Sequence, residues 1–236
     1  TSSASRIASG GFQNTYAGPG DAFLVKFDPN GARLWATYYG GTGNDRCNSV
    51  ATDASGNVYL AGSTDSPSGI ASGGFQNTYS GGDDAFLVKF DPNGARLWAT
   101  YYGGTGADWG NSVATDAAGN VYLAGSTSSA SRIASGGFQN IYAGNNDAFL
   151  VKFDTAGTRL WATYYGETIN SDYANSVATD VAGNVYLAGD TYSIGSGLAF
   201  GGFQNSFVGT ENEFLVKFDA SCNRLCATYY GQNHEE

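Results

Sequence analysis

The chain has no methionine, one histidine and three cysteines among its 236 residues. Each shortage excludes something. With no methionine even at position 1, Thr1 is not expected to be a translation start. The sequence reads as a processed product or a fragment, and any export signal has then already been removed. The one histidine, His234, sits in the terminal stretch GQNHEE. A catalytic triad needs a positioned imidazole with an orienting carboxylate, and a chain end is a poor place to hold one. Zinc-ligand spacing is absent, as are GxxxxGK[ST] and a strand–GxGxxG–helix context. No catalytic residue, metal site or cofactor is expected.

Charge is scarce, and positive charge scarcer. Lys and Arg number 11 against 21 Asp and Glu, a net charge of −10. Such a surface repels phosphate backbones and anionic lipid, so nucleic acid is not an expected partner. No apolar run reaches the roughly 18–20 residues of a bilayer span, so membrane insertion is not expected. The odd set Cys47, Cys222 and Cys226 hints at a free thiol or a possible interchain disulfide. Cys222 and Cys226 would lie about 13 Å apart in an extended strand, beyond the roughly 7 Å limit for a bridge, unless the turn between them folds back.

What is abundant is glycine, 35 residues, and a text that repeats. GGFQN begins at Gly10, Gly73, Gly136 and Gly201, at spacings of 63, 63 and 65 residues. Residues 1–14 recur letter for letter at 127–140. Each period holds four short runs rich in Val, Phe, Tyr, Trp and Thr, the residues strands favour. In the first cycle these are Ala22–Phe27, Arg33–Tyr39, Asn48–Thr52 and Asn57–Gly62. The turns DPNG and DASG join them as two tight hairpins. No useful length shows helical periodicity. We label the runs C, D, A and B for their place in a unit. Four antiparallel strands per unit, repeated, is the pattern of a β-propeller, in which adjacent sheets bury each other's faces.

The stretch YYGGTGADWGNSVATDAAGNVYLAGST (Tyr101–Thr127) resembles the SBBP-type bacterial β-propeller repeat. That family carries an aromatic-Tyr-Gly-Gly stretch, then Asn-Ser, then Asp-x-x-Gly-Asn-x-Tyr. The resemblance recurs three times. It implies an all-β fold and, since the family is known mainly from extracellular bacterial proteins of unassigned role, an extracellular or cell-surface setting.

The expected architecture is one β-propeller repeat domain over 1–236. It comprises a C–D half-blade at 10–40 and blades at 47–103, 110–166 and 174–231. The C–D hairpin occurs four times and A–B three times, so one half-blade has no partner. Three outcomes are open: the chain is a piece of a longer propeller, it packs with copies of itself, or its units stack as an open array. An uncovered sheet edge invites another chain, and a homo-oligomer or polymer is expected. The expected core is Phe23, Val25, Phe27, Leu34, Trp35, Val50, Val58 and Leu60 with their copies.

Function is expected on the face carrying the long B–C segments and variable D–A loops. There Arg46, Trp109 and Tyr173 occupy matching positions, as anchors for a glycan or protein ligand or as caps on the blade below. Groups present in every copy, such as Asp28, Lys26, Arg33 and Asp53, are expected to be structural. Asp83 with Asp84, and Glu211 with Glu213, read as solvated acidic loops, with loose cation binding the alternative. The leading expectation is a non-catalytic extracellular structural or assembly protein, a surface or filament subunit. The alternative is a glycan- or protein-binding propeller module.

Overall fold

A computed structural model of the chain describes residue 1, residues 7–195 and residues 197–232; His234 lies outside them. The described residues hold fourteen strands and no helix. A two-stranded half-blade comes first, β1 (Ala22–Phe27) and β2 (Arg33–Tyr39). The first complete sheet is β3 (Asp45–Thr52), β4 (Val58–Thr64), β5 (Asp84–Phe90) and β6 (Arg96–Tyr102). The second is β7 (Asp108–Thr115), β8 (Val121–Thr127), β9 (Asp147–Phe153) and β10 (Arg159–Tyr165). The third is β11 (Asp172–Thr179), β12 (Val185–Thr191), β13 (Asn212–Phe218) and β14 (Arg224–Tyr230). Every sheet is antiparallel with strands in chain order.

The GGFQN phrase closes the outer edge of each sheet. Ser72 exchanges backbone hydrogen bonds with Ala99, and the Gln76 carbonyl accepts from the Tyr101 N–H, so the free edge of β6 is covered. Gly74 is required by contact: a Cβ there would stand 2.6 Å from the Ala99 carbonyl oxygen. Gln76 Oε1 accepts from the Gly103 N–H at 3.2 Å. The B–C connection is thus not confined to one face, as the sequence suggested. Its middle runs along the outermost strand.

Neighbouring sheets meet at aromatic seams. Tyr102 on β6 packs its ring against Phe149 and Phe153 on β9, and Tyr165 on β10 repeats this with Phe214 and Phe218 on β13. Trp98 Nε1 donates to the Thr155 carbonyl of the next sheet at 3.1 Å, and Trp161 Nε1 to that of Ala220 at 3.0 Å. The NSVAT run serves the inner strands. Asn48 Nδ2 donates to the Gly110 carbonyl at 2.9 Å, and Ser49 Oγ accepts from the Val113 N–H at 3.1 Å. Asn111 and Ser112 do the same toward Ala174 and Val177.

The expected core holds inside the stack and fails at its start. Phe86, Val88 and Phe90 are fully buried, whereas their first copies Phe23 and Phe27 are 47% and 57% exposed. Val50 is exposed while Val113 and Val177 are buried. The reason is neighbourhood: among the described residues no inner pair of strands stands beside β1, so these side chains face open space. Leu34 and its copies Leu97, Leu160 and Leu225 are all exposed, because they begin strand D on the side away from the seam.

Candidate functional site

Arg46, Trp109 and Tyr173 are not loop residues. Strands β3, β7 and β11 start at Asp45, Asp108 and Asp172, so the three are second residues of strands, paired with Ser63, Ser126 and Asp190. They hold equivalent places in successive sheets, and so form a row along the inner strands near the D–A connections. Arg46 is exposed, in a small cleft with Asp65 and Asp83; Trp109 and Tyr173 are half-buried. Trp109 Nε1 donates to Asp83 Oδ2 at 3.3 Å. Tyr173 meets Tyr192 edge-on at 6.4 Å, and the Tyr192 hydroxyl donates to Glu211 at 2.7 Å. The row presents one guanidinium and three aromatic rings with carboxylates between them. Such a surface suits stacking and hydrogen bonding.

The repeated charges stabilise hairpins and seams. Asp53 Oδ1 accepts from the Ser55 and Asn57 N–H groups, both at 3.0 Å, and Oδ2 from the Asn57 amide and Tyr59 hydroxyl. Burial would raise its pKa, but these donors outweigh burial and hold it below the usual carboxylate range. Lys89 lies 3.7 Å from Asp53 Oδ2 and donates to the Thr155 carbonyl of the next sheet at 3.2 Å.

Three cysteines are free. Cys222 is not available for an interchain bridge. It stands where the other hairpins have Gly31, Gly94 and Gly157, keeps their positive φ at 67°, and is buried in the cluster around Trp161. Burial pushes its thiol up to about 12. Cys47 and Cys226 are exposed. Cys226 holds the position of Trp35, Trp98 and Trp161.

Among the described residues, the first and last sheets of the stack each have one face without a neighbouring complete sheet. Leu24, Val25, Phe27, Trp35 and Val50 border an apolar groove of about 380 Å³ at the half-blade. On the last sheet, Leu215 is 46% exposed where Leu87 and Leu150 are fully buried. Asn175, which has no further sheet beside it among the described residues, turns its amide to Asp190 at 2.7 Å.

Of the acidic residues read as solvated, Glu211 and Glu213 are exposed and Asp83 is partly so, but Asp84 was misplaced. Asp84 is not in a solvated loop; it begins β5 and is fully buried, as are Asp108, Asp147 and Asp172. The available signal was an Asp recurring both before AFLVKF and at the head of each A strand.

Residues 34–70, 97–131 and 160–196 match the SBBP beta-propeller repeat family. The chain is also similar to an uncharacterized WD repeat-containing protein of Acanthamoeba polyphaga mimivirus, at 28% identity over 198 residues. That similarity covers 72% of this chain and 14% of the viral protein's length.

Proposed function

Because the chain is built from SBBP beta-propeller repeats, we propose that it is a non-catalytic extracellular or cell-surface protein-interaction module. Its first partner is a further blade of its own kind, supplied by a second copy. The WD-repeat name of the viral relative supports an interaction role. The hairpin-capping duty of the repeated carboxylates supports a role without catalysis.

The observation that carries this reading is the match between the two open ends. Within the chain, each seam joins the Asn-Ser pair of one sheet to the carbonyl and N–H groups of the next. The last sheet keeps Asn175, its amide now turned to Asp190, and Ser176 at the donating positions. In β3, Cys47 and Val50 hold the positions of Gly110 and Val113. Apolar surface lies beside both sets: Leu215 at one end, Phe23, Phe27 and Val50 at the other. The contact is head-to-tail, and such contacts generate rings or open filaments.

Light scattering on two variants tests it. Phe27→Glu disables one end and Leu215→Glu the other. The wild-type chain forms oligomers and each variant alone is monomeric. An equimolar mixture stops at dimers, because each variant retains one good end. A monomeric wild-type chain at all concentrations rejects the reading.

A second reading rests on the row of Arg46, Trp109 and Tyr173. Its half-exposed rings fit a glycan or protein ligand. A monomer whose glycan-array signal is lost in Trp109→Ala would favour this reading over the first.

A further inference from the structure

Each junction between complete sheets buries two carboxylates from different strands. Asp84 opens β5 and Asp108 opens β7, and both are shielded from solvent. Asp108 is well supplied with donors: the Thr127 hydroxyl on Oδ1, and on Oδ2 the Gly104 N–H at 2.9 Å and the Ser129 hydroxyl at 2.8 Å. Asp84 is supplied on one oxygen only. Its Oδ2 accepts from the Ser80 N–H at 3.0 Å and the Gln76 amide at 3.3 Å, while Oδ1 has no partner. That bare oxygen and an oxygen of the second carboxylate meet beside one glycine. Asp84 Oδ1 and Asp108 Oδ2 stand 2.5 and 2.7 Å from the point a Cβ on Gly103 would occupy.

The next junction repeats the arrangement with one change. Asp172 takes the Glu167 N–H at 3.0 Å and the Ser193 hydroxyl at 2.9 Å on Oδ2, and its Oδ1, unlike that of Asp108, has no partner either. Asp147 Oδ2 accepts from the Ala143 N–H at 2.9 Å and the Gln139 amide at 3.4 Å, and Oδ1 is bare. Asp147 Oδ1 and Asp172 Oδ2 stand 2.5 and 3.0 Å from the Cβ point of Gly166. The half-blade junction differs, because Asp21 Oδ1 accepts from the Gly18 N–H at 3.0 Å. In the fourth unit Asn212 replaces the first carboxylate.

Two buried carboxylates facing each other need a positive charge between them, or one must stay protonated. None of the ion pairs among the described residues reaches these four. Arg132 is the cation that acts on Asp84, and it donates to Ser80 Oγ at 3.1 Å. Burial first, and the facing Asp108, push Asp84 up to about 7; burial and Asp172 do the same to Asp147. The donor set is oxygen only, with Gln76 Oε1 and Gln139 Oε1 at the same glycines. That chemistry suits hard cations and excludes the sulfur and imidazole ligands softer metals prefer.

We propose that Asp84 with Asp108, and Asp147 with Asp172, form two equivalent sites for a hard divalent cation of the calcium class. Each ties the inner strand of one sheet to the third strand of the sheet before it. The bare Oδ1 is the ligand the protein itself leaves unused. This departs from the sequence expectation of no metal. The site count is two, because Asp21 has no bare oxygen and Asn212 carries no charge.

The experiment is calorimetric titration of calcium into the chelator-treated full chain at pH 8, with thermal unfolding alongside. Expected are two equivalents bound per chain and a Tm several degrees higher in calcium than in chelator. The double variant D84N/D147N carries the residue that Asn212 already places at this position, so it folds. It takes up no calcium, and its Tm ignores calcium. Asp21→Asn still binds two. The proposal is overturned if wild type binds neither calcium nor magnesium, or if D84N/D147N binds as well as wild type. In the first case a proton shared by each pair replaces the cation.

Discussion

Arg159 holds its guanidinium carbon 4.3 Å from the centre of the Phe75 ring, across the seam between the first and second complete sheets. Arg96 sits over Phe12 at 4.3 Å and Arg224 over Phe138 at 4.6 Å, so the contact recurs at every seam. Arg159 also donates to the Arg132 and Ile133 carbonyls, each at 3.2 Å. The seam is therefore stapled from its outer side by one strand-D arginine and one GGFQN phenylalanine.

Removing either partner should loosen that seam. Arg159→Ala and Phe75→Leu are each expected to cost about 1–2 kcal/mol, the range of a partly desolvated cation–π contact plus lost packing. A double-mutant cycle by denaturant unfolding should return a coupling of about 0.5–1 kcal/mol. Additive costs would show that ring and guanidinium do not interact.

The two glycines of GGFQN should respond differently. Gly73→Ala meets open space but keeps a φ of 70°, a cost of about 1–2 kcal/mol. Gly74→Ala drives a Cβ into the Ala99 carbonyl and the Thr100 side chain. It should cost about 1–3 kcal/mol and release the edge of β6 to hydrogen exchange, which Gly73→Ala does not.

The fold was legible because both its periods lie in the letters: alternating strand runs within a unit, and 63 residues between units. GGFQN announced itself as a repeat, but its duty did not, since Gly74 and Gln76 act on a strand 25 residues or more downstream. Phe23 and Phe86 occupy equal positions in near-identical text, and one is open while the other is buried. That difference comes from the neighbouring sheet, which no single repeat encodes. Arg46, Trp109 and Tyr173 were found as matching positions, yet placed on loops, because the inner strands begin three residues earlier than their Val-rich part suggested. The buried aspartates were hidden for a related reason. Acidic letters beside glycines read as solvent-facing until the topology brings two of them to one glycine.

Thiol titration should divide the cysteines. Cys226 is exposed and should react with a disulfide reagent within minutes at pH 8. Cys47 is exposed too, but burial of its sulfur pushes the thiol up to about 11, so it should react more slowly. Cys222 is buried, with its thiol pushed up to about 12, and should react only after denaturant is added. Three equally fast thiols would contradict the placement of Cys222 against Trp161.

Acid should unfold the chain through its hairpin caps. Hydrogen bonds from Asn184 lead the causes that lower Asp180 to about 2. At Asp53 and Asp116 donors outweigh burial and lower both, and at Asp219 Asn223 leads. Unfolded, these groups titrate near 3.9. Above that value the folded state gains from binding their charged form; as pH falls toward 2 the gain is lost. Circular dichroism should show stability falling from about pH 4 downward. In Asp116→Asn, that loss should be shallower.

Hydrogen exchange tests most directly whether sheets side by side bury and hold one another. Amides of β8 and β9, which have a sheet on either side, should be the slowest to exchange. Protection should fall toward β1 and β2 at one end and β14 at the other. Equal protection of all four C–D hairpins, or three sheets that open one at a time with no dependence on position, would contradict the account.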